Sequence, residues 1–135
     1  RELLTETIEV TLRGLERAED AETKKTLYAF VTEKIQDLKK VTGEHDGFVP
    51  LFLAWLMAID GNVEGVEGEV ERAFAMQPSS VSALRIAMHC YELLGKEEQA
   101  LRMQNHLLQL LPPDWDDPES ERGRILMKEN LWLLR

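Results

Sequence analysis

The 135-residue sequence predicts an all-α domain built from helical hairpins, and three observations carry that expectation. From Phe48 to Ile59 the chain reads FVPLFLAWLMAI, with no charged or hydrogen-bonding side chain except the Trp55 indole. Such a run falls short of the roughly 18 residues that a membrane span needs, and a helix apolar on every side must be buried from several directions. Elsewhere apolar residues recur at helical spacing, and no segment alternates as a strand would. Turn residues also repeat at a fixed interval: Gly61 to Gly95 and Pro78 to Pro112 are each 34 residues apart.

Taken in order, residues 2 to 18 carry Leu4, Ile8, Leu12 and Leu15 on one face of an amphipathic helix, with Gly14 a weak point inside it. The polar stretch Glu19 to Thr26 separates this stripe from a second one at Leu27, Val31, Ile35 and Leu38, which ends at Gly43. The two stripes are out of phase, which favours a hairpin over one long bent helix and leaves both open. Asp46 is placed to cap the apolar helix, Pro50 falls in its first turn, and Asp60-Gly61-Asn62 ends it. A further helix presents Val63, Val66, Val70, Ala73 and Phe74, and stops at Gln77-Pro78. Ser80 caps the next, with Val81, Leu84, Ala87, Tyr91 and Leu94 on its face and Gly95 at its end. In the helix from Lys96 to Leu111, Ala100, Met103, Leu107 and Leu110 are expected inward, before Pro112-Pro113. Asp117-Pro118-Glu119 then reads as the start of a last helix carrying Ile125, Met127, Leu131, Trp132 and Leu134.

Composition narrows the function. An apolar fraction of 44% with 30% charged residues suits one globular domain. A formal charge of −9 disfavours nucleic acid and anionic membrane surfaces, which need clustered cations, and leaves a basic or apolar partner as the better match. The single cysteine, Cys90, allows no internal disulfide and leaves the compartment open between cytoplasm and bacterial periplasm. The chain opens at Arg1 without a Met, as a piece of a larger polypeptide would.

The 34-residue interval is that of the tetratricopeptide (TPR) repeat. Counted from Val81, the family's signature positions hold Leu84, Ala87, Met88, Tyr91, Ala100, Gln104, Leu107 and Pro112, with Gln104 alone off pattern. Counted from Gly47 they hold Pro50, Leu53, Ala54, Met57, Val66, Val70, Ala73 and Pro78, a looser match. Residues 47–113 thus resemble TPR proteins. The resemblance implies a right-handed α-α superhelix of TPR-like hairpins: an irregular N-terminal hairpin at 1–45, repeats at 47–80 and 81–113, and a C-terminal capping helix at 117–135. Leu107 to Pro113 with Pro118-Glu119, and the run Val70 to Pro78, are further similar to the TPR domains of cytochrome c maturation proteins. Those bind the C-terminal helix of apocytochrome c in the periplasm; Gln104 replaces the aromatic expected there, and the first 45 residues do not match.

Concave-surface positions of the family correspond here to Phe48, Leu51, Trp55, Ala58 and Ile59, and to Ser82, Arg85, His89, Glu92 and Leu93. The resemblance implies a peptide-binding groove with Phe48, Leu51 and Trp55 as an apolar pocket and Ser82, Arg85, His89 and Glu92 as a polar rim. A competing expectation is that the N-terminal hairpin packs on Phe48, Leu51 and Trp55 and makes them core; a homodimer would cover them as well. Leu51 and Trp55 stand where chaperone-binding TPRs carry Lys and Asn, so a chaperone carboxylate clamp is not expected.

Catalytic and metal chemistry find little support. Adjacent His89 and Cys90 point about 100° apart on a helix and cannot act as a pair, and His45 and His106 lack ligand spacing. Asp114, Asp116, Asp117 and Glu119 lack the glycine and final glutamate of a calcium loop. No cofactor or metal is expected. The expected protein is a non-enzymatic scaffold binding a peptide or helix of a partner protein, without nucleic acid or membrane insertion; a self-associating regulatory domain is the other reading.

Overall fold

A computed structural model describes residues 2–43, 46–76 and 80–131. Among them are seven helices and no strand: α1 (Glu2–Arg17), α2 (Ala21–Thr42), α3 (Phe48–Ile59), α4 (Val63–Met76), α5 (Val81–Leu93), α6 (Glu97–Leu110) and α7 (Glu121–Glu129). The domain is all-α. The expectations placed on His45, Pro78, Trp132 and Leu134 lie outside the described residues.

The tightest neighbours are α1 with α2, α3 with α4, and α5 with α6, and α3 also lies against α5. Each connection has a local cause. Asp20 accepts from the backbone N–H groups of Glu22 and Thr23 and starts α2, so the two N-terminal stripes belong to separate helices. The polar stretch that seemed to separate them is largely the first turns of α2. Gly61 and Gly95 take positive φ, 77° and 71°, where a side chain would be strained, and each ends the first helix of its hairpin. Ser80 Oγ accepts from Ala83 N and starts α5, and the Asp46 carboxylate accepts from Phe48 N at 2.8 Å as α3 begins.

One core runs through six helices. Ile8, Leu12 and Leu15 of α1, Val31, Ile35 and Leu38 of α2, and most of α3 join Val66, Val70 and Ala73 of α4, with Ile86, Ala87, Cys90 and Tyr91 of α5 and Ala100 of α6. Within α3, Leu51, Phe52 and Ala54 are fully buried and Trp55 is 2% exposed, as a helix apolar on all sides requires. A smaller cluster of Leu84, Leu107 and Leu111 closes the α5–α6 end, with Trp115 against it.

The C-terminal third departs from the sequence reading at two points. Leu110 is exposed and Leu111, at the end of α6, packs inward in its place. The last helix begins at Glu121, not at Asp117-Pro118. Ser120 is its cap, donating to Asp114 Oδ2 at 2.6 Å and accepting from Gly123 N, while Arg122 pairs with Asp114 Oδ1. Gly123 sits so close to the carbonyls of Asp114 and Asp117 that a Cβ would lie 2.1 Å from the first of them. Asp117 closes the turn before α7 by accepting from Glu119 N. Ile125 and Leu131 are exposed where burial was expected.

Gly14 offers a test of how α1 is packed. A Cβ there meets only Leu27 Cδ1, at an ordinary 3.8 Å, and the position is interior to a helix. Gly14→Ala is therefore expected to stabilise the domain by about 0.5–1 kcal/mol in urea denaturation. A loss of stability would mean that α1 and α2 pack more closely than this.

Candidate functional site

Three α1 side chains meet the face of α3 and α5. Glu9, Arg13 and Glu16 follow one another at spacings of four and three, which puts them on one side of α1. Glu9 accepts from Arg85 Nη2 at 3.2 Å, and the pair is about one-third exposed. Glu16 Oε1 accepts from Trp55 Nε1 and also lies 2.7 Å from His89 Nε2. The contact suits the imidazole tautomer that donates from Nε2 to the carboxylate. The indole and imidazole rings themselves meet edge to face, with centroids 5.0 Å apart.

These contacts bring Trp55, Arg85 and His89 of the expected groove against α1. Leu51 and Trp55 lie in the core, Phe48 is partly buried against it, and the apolar pocket expected from those three residues is closed. A cleft of about 440 Å³ lies open between α1 and α5, lined by Arg13, Arg85, His89 and Glu92 at its polar edge, and a larger hollow of about 670 Å³ lies where Glu16, Lys24, Lys25 and Tyr28 meet Ile59. Trp55, Ile86 and Met88 form the cleft's apolar side. Four of the seven residues singled out in the sequence, Trp55, Arg85, His89 and Glu92, thus meet at one place. Phe48, Leu51 and Ser82 do not line it, and Ser82 is exposed.

Glu9, Arg13 and Glu16 were not anticipated as site residues. Their signal was present in the sequence as a charged i, i+4, i+7 row beside the Ile8, Leu12, Leu15 stripe, but such a row more often faces solvent. Only the docking of α1 on α3 and α5 gives it partners.

The other chemistry-bearing groups are engaged in structure. Cys90 is fully buried; burial pushes its thiol well above the ordinary value, and the Glu16 charge adds to the effect. Hydrogen bonds from Ser120 and Arg122 hold the Asp114 carboxyl below its usual range, and among the described residues no group of three His, Cys, Asp or Glu side chains could hold a metal ion. No described helix is long and apolar enough to cross a membrane. A further hollow of about 420 Å³ lies where Lys39, Asp46, Glu69 and Arg72 meet, and none of the residues expected to form the groove lines it.

Comparison with known proteins returns no match, whether to protein-family models, curated proteins or solved structures.

Cys90 supplies a probe of the site's floor. With its thiol buried and protonated, it is expected to react with a thiol reagent at neutral pH about a thousandfold or more slowly than in denaturant, since reaction must wait for the domain to open. Rapid labelling of the native chain would show that the packing of α1, α3 and α5 is looser than described.

Proposed function

We propose that the chain is a non-enzymatic scaffold of TPR-like helical hairpins that binds a segment of a partner protein in the cleft between α1 and α5. The observation that carries this reading is the convergence of Trp55, Arg85, His89 and Glu92 on one cleft. Those four are concave positions of the repeat pattern, and Arg85, His89 and Glu92 share one side of α5 by their spacing of four and three. The cleft's volume, about 440 Å³, falls within the range of sites that take a small ligand or a few residues of a peptide. It combines an apolar wall with a few polar groups able to fix orientation, the composition expected of a recognition site.

The superhelical arrangement belongs to the same proposal. The 34-residue interval of turn residues and the packing of α3 against α5, successive first helices of two hairpins, support it. In this arrangement the α1–α2 hairpin is a degenerate third unit whose first helix leans into the concave side, and α7 caps the far end. A repeat of this size cannot bury its apolar face alone, so the N-terminal hairpin is needed for stability as well as for shaping the cleft.

Affinity capture with the immobilised chain tests the reading, with Arg85→Ala as the control. A partner held by the wild type should be lost at least about tenfold from the variant, while thermal stability changes by no more than about 1 kcal/mol, because the Arg85–Glu9 pair is partly exposed. Equal retention by both would put binding on another surface.

A further inference from the structure

The chain contains two Asp-Gly steps, Asp46-Gly47 and Asp60-Gly61, and the fold treats them in opposite ways. Asp46 is buried, and its carboxylate accepts from Phe48 N at 2.8 Å as α3 begins. Asp60 stands exposed at the other end of α3, beside the hollow of about 670 Å³, and no described residue donates a hydrogen bond to its carboxylate. We infer that Asp60 is a site of covalent modification in the native protein, where the main chain passes from an aspartyl to an isoaspartyl linkage, and that Asp46 is held against the same reaction.

The chemistry needs no cofactor. The Gly61 nitrogen attacks Cγ of the protonated Asp60 side chain, a succinimide ring closes, and the nitrogen's proton leaves with the carboxyl hydroxyl as water. Water then reopens the ring. Attack at the former side-chain carbonyl restores aspartate, and attack at the main-chain carbonyl leaves the chain running through Cβ and Cγ with a free α-carboxylate. Nothing is oxidised or reduced, and the mass is unchanged. Glycine favours the closure because no Cβ shields the attacking nitrogen.

The cost of reaching the ring-closing geometry separates the two steps. At Asp60, ψ is −4° and Gly61 N donates to Ala58 O, so the nitrogen must leave that bond and the peptide plane must turn. This opening is confined to the end of α3, helix ends fray readily, and no buried side chain moves with Asp60. At Asp46, closure breaks the bond to Phe48 N and draws a side chain that is 7% exposed out of its packing, next to the buried Val49, Pro50 and Leu51. The product at residue 60 has a structural consequence. An added main-chain atom lengthens the joint that Asn62 closes, through its N–H to Met57 O and its Oδ1 accepting from Gly65 N. The new α-carboxylate also meets the negative end of the α3 dipole.

The full chain, kept for several weeks at physiological temperature in mildly acidic buffer with and without urea, provides the test. Chymotryptic peptides containing Asp46 and Asp60 are then separated, and isoaspartate is assigned by fragmentation in mass spectrometry. In the native sample isoaspartate at residue 60 should exceed that at residue 46 by at least about tenfold, as local opening of a helix end against a packed segment implies. In urea both positions should convert at similar rates. Methyl uptake from S-adenosylmethionine by an isoaspartyl-specific methyltransferase should rise with incubation of the native wild type and stay at background in Asp60→Glu, which keeps the charge and exposure but closes its ring far more slowly. Equal isoaspartate at the two positions in the native chain, or conversion of Asp60 in urea alone, would overturn the assignment.

Discussion

The hydrogen bond from the buried Trp55 indole to Glu16 is the contact on which the site depends. Trp55 is the only residue of α3 whose side chain has a hydrogen-bonding group, and burying that N–H without an acceptor would forfeit about 1–3 kcal/mol. Nothing else within α3 can supply an acceptor, because every other side chain there is apolar. The acceptor comes from α1, 39 residues earlier in the chain, and the same oxygen holds His89 of α5. One carboxylate therefore ties α1, α3 and α5 together at the edge of the cleft. The apolar face of α1, Ile8, Leu12 and Leu15, supplies the burial that makes this docking favourable, and Glu16 fixes its position.

This arrangement reconciles two demands on α3. A helix so apolar needs cover on all sides, yet the cleft beside it leaves the edge of Trp55 accessible. Here α1 packs against α3 and caps the Trp55 indole, and the cleft left between α1 and α5 has a polar edge. The cleft's chemistry is then set jointly by α1, through Arg13, and by α5, through Arg85, His89 and Glu92. Both signs of charge meet at this place, with Glu9, Glu16 and Glu92 beside Arg13 and Arg85.

What the sequence made legible followed from local rules. The existence of six helices up to Leu110, the glycines that end α3 and α5, and the Ser80 cap all rest on contacts between residues at most a few positions apart. The start of α7 was misplaced because two capping patterns compete: Asp117-Pro118 has the more familiar form, but Ser120 gains a partner in Asp114, and Gly123 permits a close turn against two carbonyls. Leu110 and Leu111 are adjacent, and only the direction in which the chain leaves α6 decides which one packs. For the candidate site, Arg85, His89 and Glu92 could be read together because spacings of four and three put them on one side of α5, while Trp55 was expected beside them only from the resemblance. The contributions of Glu9, Arg13 and Glu16 could not, since they depend on the angle at which α1 crosses α3 and α5, a long-range property that no local pattern in residues 1–45 encodes.

The most direct test of this account is the indole N–H resonance of Trp55, assigned in a nitrogen–proton correlation spectrum by its loss in Trp55→Phe. If Glu16 accepts this proton beneath α1, the resonance should be protected from exchange with water in the wild type. It should shift and exchange faster in Glu16→Ala, while the Trp115 indole is unaffected. A Trp55 indole that exchanges like an exposed one, or that does not respond to Glu16→Ala, would contradict the docking of α1 on which the cleft is built.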